Sequence, residues 1–175
     1  MTTFILLVVF LSTVLIFINA DDGGIAAECA SLNVIRRKDW GATNEIPKLD
    51  KIRRELSPWM MVHHTAGASC TTTDECKKLI KDIETFEMTV QHANEILSHF
   101  FIGGDGNIYE GRGWYYADEY IPGHGLFLSV SFIGDYRIKN APANMLAAFD
   151  KLQDTANMFS ACIVIIVAQT VQAII

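Results

Sequence analysis

The 175-residue sequence predicts an α/β fold. Short apolar runs with strand character alternate with two stretches of helical periodicity. A glycine-rich turn joins two of those runs as a hairpin, and each helical stretch begins at a recognisable start signal. The first run, Trp59-Met60-Met61-Val62, is ended by His63-His64 and reads as a buried strand. Thr72-Thr73-Asp74-Glu75 then has the form of a capping box, a threonine at the cap with a glutamate three residues on. Behind it Leu79, Ile83, Phe86 and Val90 recur at helical spacing, while Lys77, Lys78, Lys81, Asp82 and Glu84 occupy the other face. The pattern predicts a helix over 73–92.

Phe100-Phe101-Ile102 reads as a strand, Gly103-Gly104-Asp105-Gly106 as a tight turn, and Asn107-Ile108-Tyr109-Glu110 as the returning arm of a hairpin. Residues 115–126 are aromatic and acidic, hold Pro122-Gly123, and read as a loop. Leu128 to Gly134 alternates like a strand. Pro142 stands where a first helical turn would begin, with Met145, Ala148, Phe149 and Leu152 as its apolar stripe.

The ends carry a different message. Residues 1–20 hold no charged side chain, are apolar from Phe4 to Ile18 apart from Ser12-Thr13, and end at a small residue before Asp21-Asp22. This reads as a secretory signal peptide and not as a membrane span, so the expected location is extracellular. Residues 21–32 read as a mobile amino-terminal tail and 33–155 as one domain with its own core. Residues 156–175 form an uncharged, strongly apolar tail. Three readings of it stay open: a further core element, a marginal membrane segment, or an end truncated or altered relative to its relatives. The third is preferred below, and membrane contact is not expected.

The net charge of −6 lies outside the leader and argues against a nucleic-acid partner, which calls for a basic face. The clusters Arg36-Arg37-Lys38 and Arg53-Arg54 read as solvated faces. Of the four cysteines, Cys70 and Cys76 suggest a small disulfide loop ahead of the helix. The five residues between them exceed the usual gap of about two to four between zinc-binding cysteines. The pairing of Cys29 and Cys162 stays open.

Two constellations could carry chemistry. Imidazole is polar and needs partners when buried, so His63-His64 suits a strand end that opens into a cleft. His63 is either a metal ligand or a structural histidine closing the strand. His64 points to the opposite face and reads as a cleft wall. His92 reads as a helix carboxyl-terminal cap, His99 as a cleft or solvent residue, His124 as an exposed turn residue, and Cys162 as a core thiol or disulfide partner. The second constellation is Gly111-Arg112-Gly113-Trp114. Its glycines allow close backbone approach, Trp114 offers a flat face for a sugar ring, and Arg112 offers two parallel donors for a carboxylate. The plain alternative is a turn with Trp114 plugging the core and Arg112 in a surface ion pair. No nucleophile triad, phosphate loop or dinucleotide fingerprint is present.

From about Asn33 to Gln153 these motifs, in this order, resemble the peptidoglycan recognition proteins, which share a fold with zinc-dependent N-acetylmuramoyl-L-alanine amidases. They are Trp40-Gly41-Ala42, Val62-His63-His64-Thr65-Ala66-Gly67, Cys70 with Cys76, the hairpin through Gly111-Arg112-Gly113-Trp114, and Ser131-Phe132-Ile133-Gly134-Asp135-Tyr136. The resemblance implies a mixed central sheet flanked by helices and a Cys70–Cys76 disulfide. It also implies a groove for bacterial peptidoglycan or muropeptides, with His63, His64, Thr65, Arg112, Gly113 and Trp114 as binding residues, and a downstream immune signalling partner.

In catalytic members zinc is held by a histidine matching His63 and by a later histidine and cysteine, in segments this chain does not contain. The catalytic tyrosine and a nearby tryptophan of those members fall here at Ser98 and Ala93. The tail stands where the missing segments would begin, so the fold is expected to be incomplete at that end. Binding without catalysis is therefore the expected function. The alternative is a zinc amidase that hydrolyses the lactoyl–L-alanine amide with other ligands, and a third reading is a fragment with neither activity. No basic residue follows Trp114 closely enough to hold the extra carboxylate of a diaminopimelate stem.

Overall fold

The computed structural model describes residues 32–45, 47–49, 60–116 and 127–156. They belong almost entirely to one compact unit, Asn33–Asp154. The signal-peptide, tail and Cys29/Cys162 readings, with His124, lie outside the described residues.

Within the unit the elements are β1 (Val34–Ile35), α1 (Arg37–Trp40), β2 (Met60–His64), α2 (Thr73–Thr89), β3 (Phe100–Ile102), β4 (Ile108–Glu110) and β5 (Leu128–Phe132). Helix α3 follows over 143–156. The strands form one mixed sheet in the order β1-β4-β3-β5-β2, with β3–β4 antiparallel and the other pairs parallel. Two rows of side chains cross it. Ile35, Tyr109, Phe101, Ser131 and His63 are in register, and so are Val34, Ile108, Ile102, Phe132 and His64. Successive residues of a strand face opposite sides. The first row meets α2, where Phe101 and Tyr109 cluster with Cys76, Ile80 and Trp40. The second row meets α3, where the Phe132 and Phe149 rings lie 5.7 Å apart and Met145 and Leu152 are buried.

The start signals work as read. Thr72 accepts from the Glu75 N–H and the Glu75 carboxylate accepts from the Thr72 N–H, closing the capping box. N–H and hydroxyl donors, first of all the Thr71 N–H, hold the Glu75 carboxyl below its ordinary range. The Gly103–Gly106 turn closes the β3–β4 hairpin. Its Asp105 accepts from Tyr109 Oη at 2.6 Å and from Thr73 Oγ1 at 3.0 Å, which ties the turn to the first turn of α2.

Three expectations change. The His63-His64 strand is an edge strand paired only with β5 among the described residues, and Val62 is 48% exposed. With no described neighbour on its outer side it is half-buried, not buried. Helix α2 ends at Thr89, three residues early. Its last carbonyls are met by backbone donors, Val90 N–H to Phe86 and Ala93 N–H to Glu87, while His92 turns at φ +60° on the surface and caps nothing. The buried stripe of α2 is Cys76, Ile80, Glu84 and Glu87. Leu79 and Ile83 pack at its margin, and Phe86 is 50% exposed.

Cys70 and Cys76 form the expected disulfide, both buried in the cluster beneath α2. Replacing the pair with serines should lower unfolding free energy by about 2 kcal/mol, the entropic return for so short a loop, measured by denaturant titration. A loss below about 0.5 kcal/mol would mean that the loop is held by its neighbours alone.

Candidate functional site

The two histidines leave the carboxyl-terminal end of β2, and the parallel strands β3 and β5 end on the same side. Clefts of α/β sheets open at such ends. His63 faces the α2 side. Its ring nitrogens lie 3.1 and 3.3 Å from Ser131 Oγ, and Ser131 Oγ is in short contact with Ser98 Oγ. His64 faces the α3 side. Its Nδ1 accepts the Tyr136 N–H at 3.1 Å, with Asp135 3.8 Å away. Arg137 donates to Asp135 and draws that carboxyl down to about 2. Thr65 Oγ1 accepts the Gly134 N–H at 2.9 Å and fixes the exit of the strand.

A concavity of about 210 Å³ opens beside this exit on the α2 side. Thr65, Gly67 and Ala68 form one wall, and Leu79, Ile83 and Phe86 the other, with Asp82 at the margin. The helix positions that fail to reach the core are the ones that make the groove wall.

The Gly111–Trp114 loop lies against Ser98 and His99, just ahead of β3. Gly111 and Gly113 donate to the His99 carbonyl, and Arg112 N–H donates to the Ser98 carbonyl. A Cβ at Gly111 would fall 2.1 Å from the Ser98 oxygen, so glycine is needed there for the chain's own packing and not for a ligand. Gly113 takes φ +72°. Trp114 is half-buried with its ring 4.6 Å from that of Phe100. Arg112 is 1% exposed, and its Nε donates to the Ile96 carbonyl at 2.7 Å. That burial is at odds with the expected contact to a ligand carboxylate, and equally with a surface ion pair. Hydrogen bonds nevertheless join the two constellations: Arg112 to Ser98, Ser98 to Ser131, Ser131 to His63.

His99 is buried, not in the cleft or in solvent. Its Nδ1 accepts from Ser129 N–H at 3.0 Å and its Nε2 faces the Tyr116 carbonyl at 2.8 Å. Those partners require the neutral Nε2–H tautomer and make it a structural residue.

The sequence reading missed a buried ionic centre behind the loop. Arg37, expected in a solvated cluster, is 2% exposed. It donates to Glu95 at 2.7 Å, to Glu84 at 3.5 Å, and to the carbonyls of Asn44 and Gly111, both at 2.8 Å. Glu84 also accepts from Thr43 and Lys81. Glu87, 7% exposed, accepts the Leu97 N–H at 2.7 Å. Burial raises its carboxyl to about 7, against the pull of the Leu97 N–H and the Arg112 charge.

A zinc amidase needs His, Cys or carboxylate ligands around an open position. Here the His63 ring lies against the Ser131 hydroxyl, which in turn contacts the Ser98 hydroxyl. Among the described residues no three His, Cys, Asp or Glu side chains converge. No helix among them is long and apolar enough to cross a membrane.

The mixed sheet, with its histidine-bearing edge strand, is an amidase-type α/β domain, and the N-acetylmuramoyl-L-alanine amidase family (Amidase_2) matches residues 57–168. The chain belongs to the peptidoglycan recognition protein branch of that fold. It is 33% identical over 124 residues to peptidoglycan-recognition protein 3 of Holotrichia diomphalia, covering 70% of this chain and 65% of that protein. It is also 33% identical over 125 residues to human peptidoglycan recognition protein 3, covering 69% and 35%. Among solved structures, human PGRP-IBETAC in complex with glycosamyl muramyl pentapeptide superposes with a TM-score of 0.68. The identity is 29%, over 73% of this chain and 76% of that one. The chain thus spans less than two thirds of the length of either curated relative named above.

Proposed function

We propose that this chain is a secreted innate-immune recognition protein that binds bacterial peptidoglycan or muropeptides without cutting them. The observation that supports the second half is the side chain beside His63: the Ser131 hydroxyl lies against its ring, and behind it Ser98 stands where the resemblance places the amidase tyrosine. Three features support the first half. The groove beside Thr65 sets the apolar helix wall of Leu79, Ile83 and Phe86 against the strand exit, a concavity that offers a binding surface for a glycan carrying a short peptide. A related structure holds a muramyl pentapeptide. The uncharged leader supports export.

The binding residues of this reading are His63, His64, Thr65, Gly113 and Trp114, with Arg112 holding the loop from inside. Purified insoluble peptidoglycan should retain the protein equally with and without chelator. Mass spectrometry of the supernatant should find no free stem peptide. Release of stem peptide that chelator abolishes would establish the zinc amidase instead, and would direct attention to His124 and Cys162 as ligands beside His63.

A further inference from the structure

We propose that Glu87 is a positioning residue for this recognition face: its charged carboxylate holds the 96–98 turn on which Arg112 rests, and ligand affinity falls when that charge is lost. The inference rests on the reading of the site as a peptidoglycan-binding groove and adds a control to it.

The geometry is a short relay. Glu87 projects inward from α2 and takes the Leu97 N–H. The residues on either side of Leu97 carry the loop: Ile96 offers its carbonyl to Arg112 Nε, and Ser98 offers its carbonyl to Arg112 N–H and its hydroxyl to Ser131. Ser131 then meets His63. One carboxylate therefore sets the backbone that aligns the Gly111–Trp114 loop with the strand exit.

The charged groups around it do not substitute for it. Glu84, on the same helix, repels it and is held by Lys81, Thr43 and Arg37. Arg37 from α1 is engaged by Glu95 and Glu84. Arg112, from the loop after β4, is the cation that acts on Glu87. A carboxyl that titrates near neutrality makes the hold responsive over an ordinary range of pH.

The test compares the full chain with Glu87→Gln, which keeps the size and the acceptor for Leu97 but never ionises. Muramyl pentapeptide is the probe, titrated calorimetrically from pH 5.5 to 8.5. Wild-type affinity should rise by about fivefold across the range, the low end of ordinary site coupling, while Glu87→Gln stays at the acid-side value. The two proteins differ at Glu87 alone, so the difference between the two profiles is the readout.

In the absence of ligand, wild-type protection against amide exchange at Leu97 and Arg112, corrected for intrinsic rates, should drop below pH 7, and that of Glu87→Gln should not. Coincident pH profiles of affinity overturn the proposal while leaving the recognition reading intact. Failure of the wild type to bind at any pH overturns the recognition reading. The exchange result then decides whether Glu87 holds the turn at all.

Discussion

Arg37→Met should destabilise the domain by on the order of 3–5 kcal/mol, the cost of leaving buried charge without its partner. The two carboxylates at stake, Glu84 and Glu95, are fully buried, and Arg37 lies between them. Methionine has a similar apolar stem, so lost packing is a small part of the effect. The loss is large against a total stability of about 5–15 kcal/mol for a domain of this size. It should also loosen the Gly111 carbonyl, which Arg37 holds at 2.8 Å. Adding Glu84→Gln and Glu95→Gln to the methionine variant should recover most of the stability, because the stranded charges are then gone. Denaturant unfolding of the three proteins checks this. A single-variant loss below about 1 kcal/mol, or a triple variant no better than the single, would mean that the centre is wetter than its burial indicates.

That centre also shows where the sequence stopped being legible. Local signals were reliable because a few adjacent residues settle them. The Thr72–Glu75 box, the Gly103–Gly106 turn and Pro142 each specify backbone geometry without help from distant parts of the chain. The buried face of α2 was not legible for the opposite reason. Glu84 and Glu87 look like a solvated face until Arg37, Thr43, Leu97 and Arg112 are brought to them from 10 to 47 positions away. With those two glutamates turned inward, Phe86 and Val90 must turn outward, and the stripe that reads as core becomes a groove wall.

The same displacement explains Arg112. A guanidinium beside two glycines and a tryptophan looks like a ligand clamp. In the structure it is buried, and its Nε donates to the Ile96 carbonyl. At His63 the sequence showed the histidine, but not that the Ser131 hydroxyl would lie against it with the Ser98 hydroxyl behind. Serines at alternate positions of β5 carry no such signal by themselves.

Glu87→Gln should make the protein more stable at pH 8 than the wild type and nearly equal to it at pH 4.5. An unfolded glutamate titrates near 4.5, whereas this one titrates near 7 because burial disfavours its charge. Between those values the folded chain binds the extra proton, so stability from Glu87 is full below 4.5 and is lost as pH rises through 7. The shift corresponds to roughly 3 kcal/mol at alkaline pH. The glutamine, always neutral, escapes that loss. Thermal or denaturant unfolding at both pH values gives the difference, in which the histidines common to both proteins cancel. A gap between variant and wild type that stays constant with pH would show that Glu87 is not the titrating group. The expected pairing of gained stability with weakened binding gives a reason for a charged group to sit where it costs the fold: the ionised carboxylate holds the Leu97 N–H, and the neighbouring Ile96 carbonyl carries Arg112 and its loop.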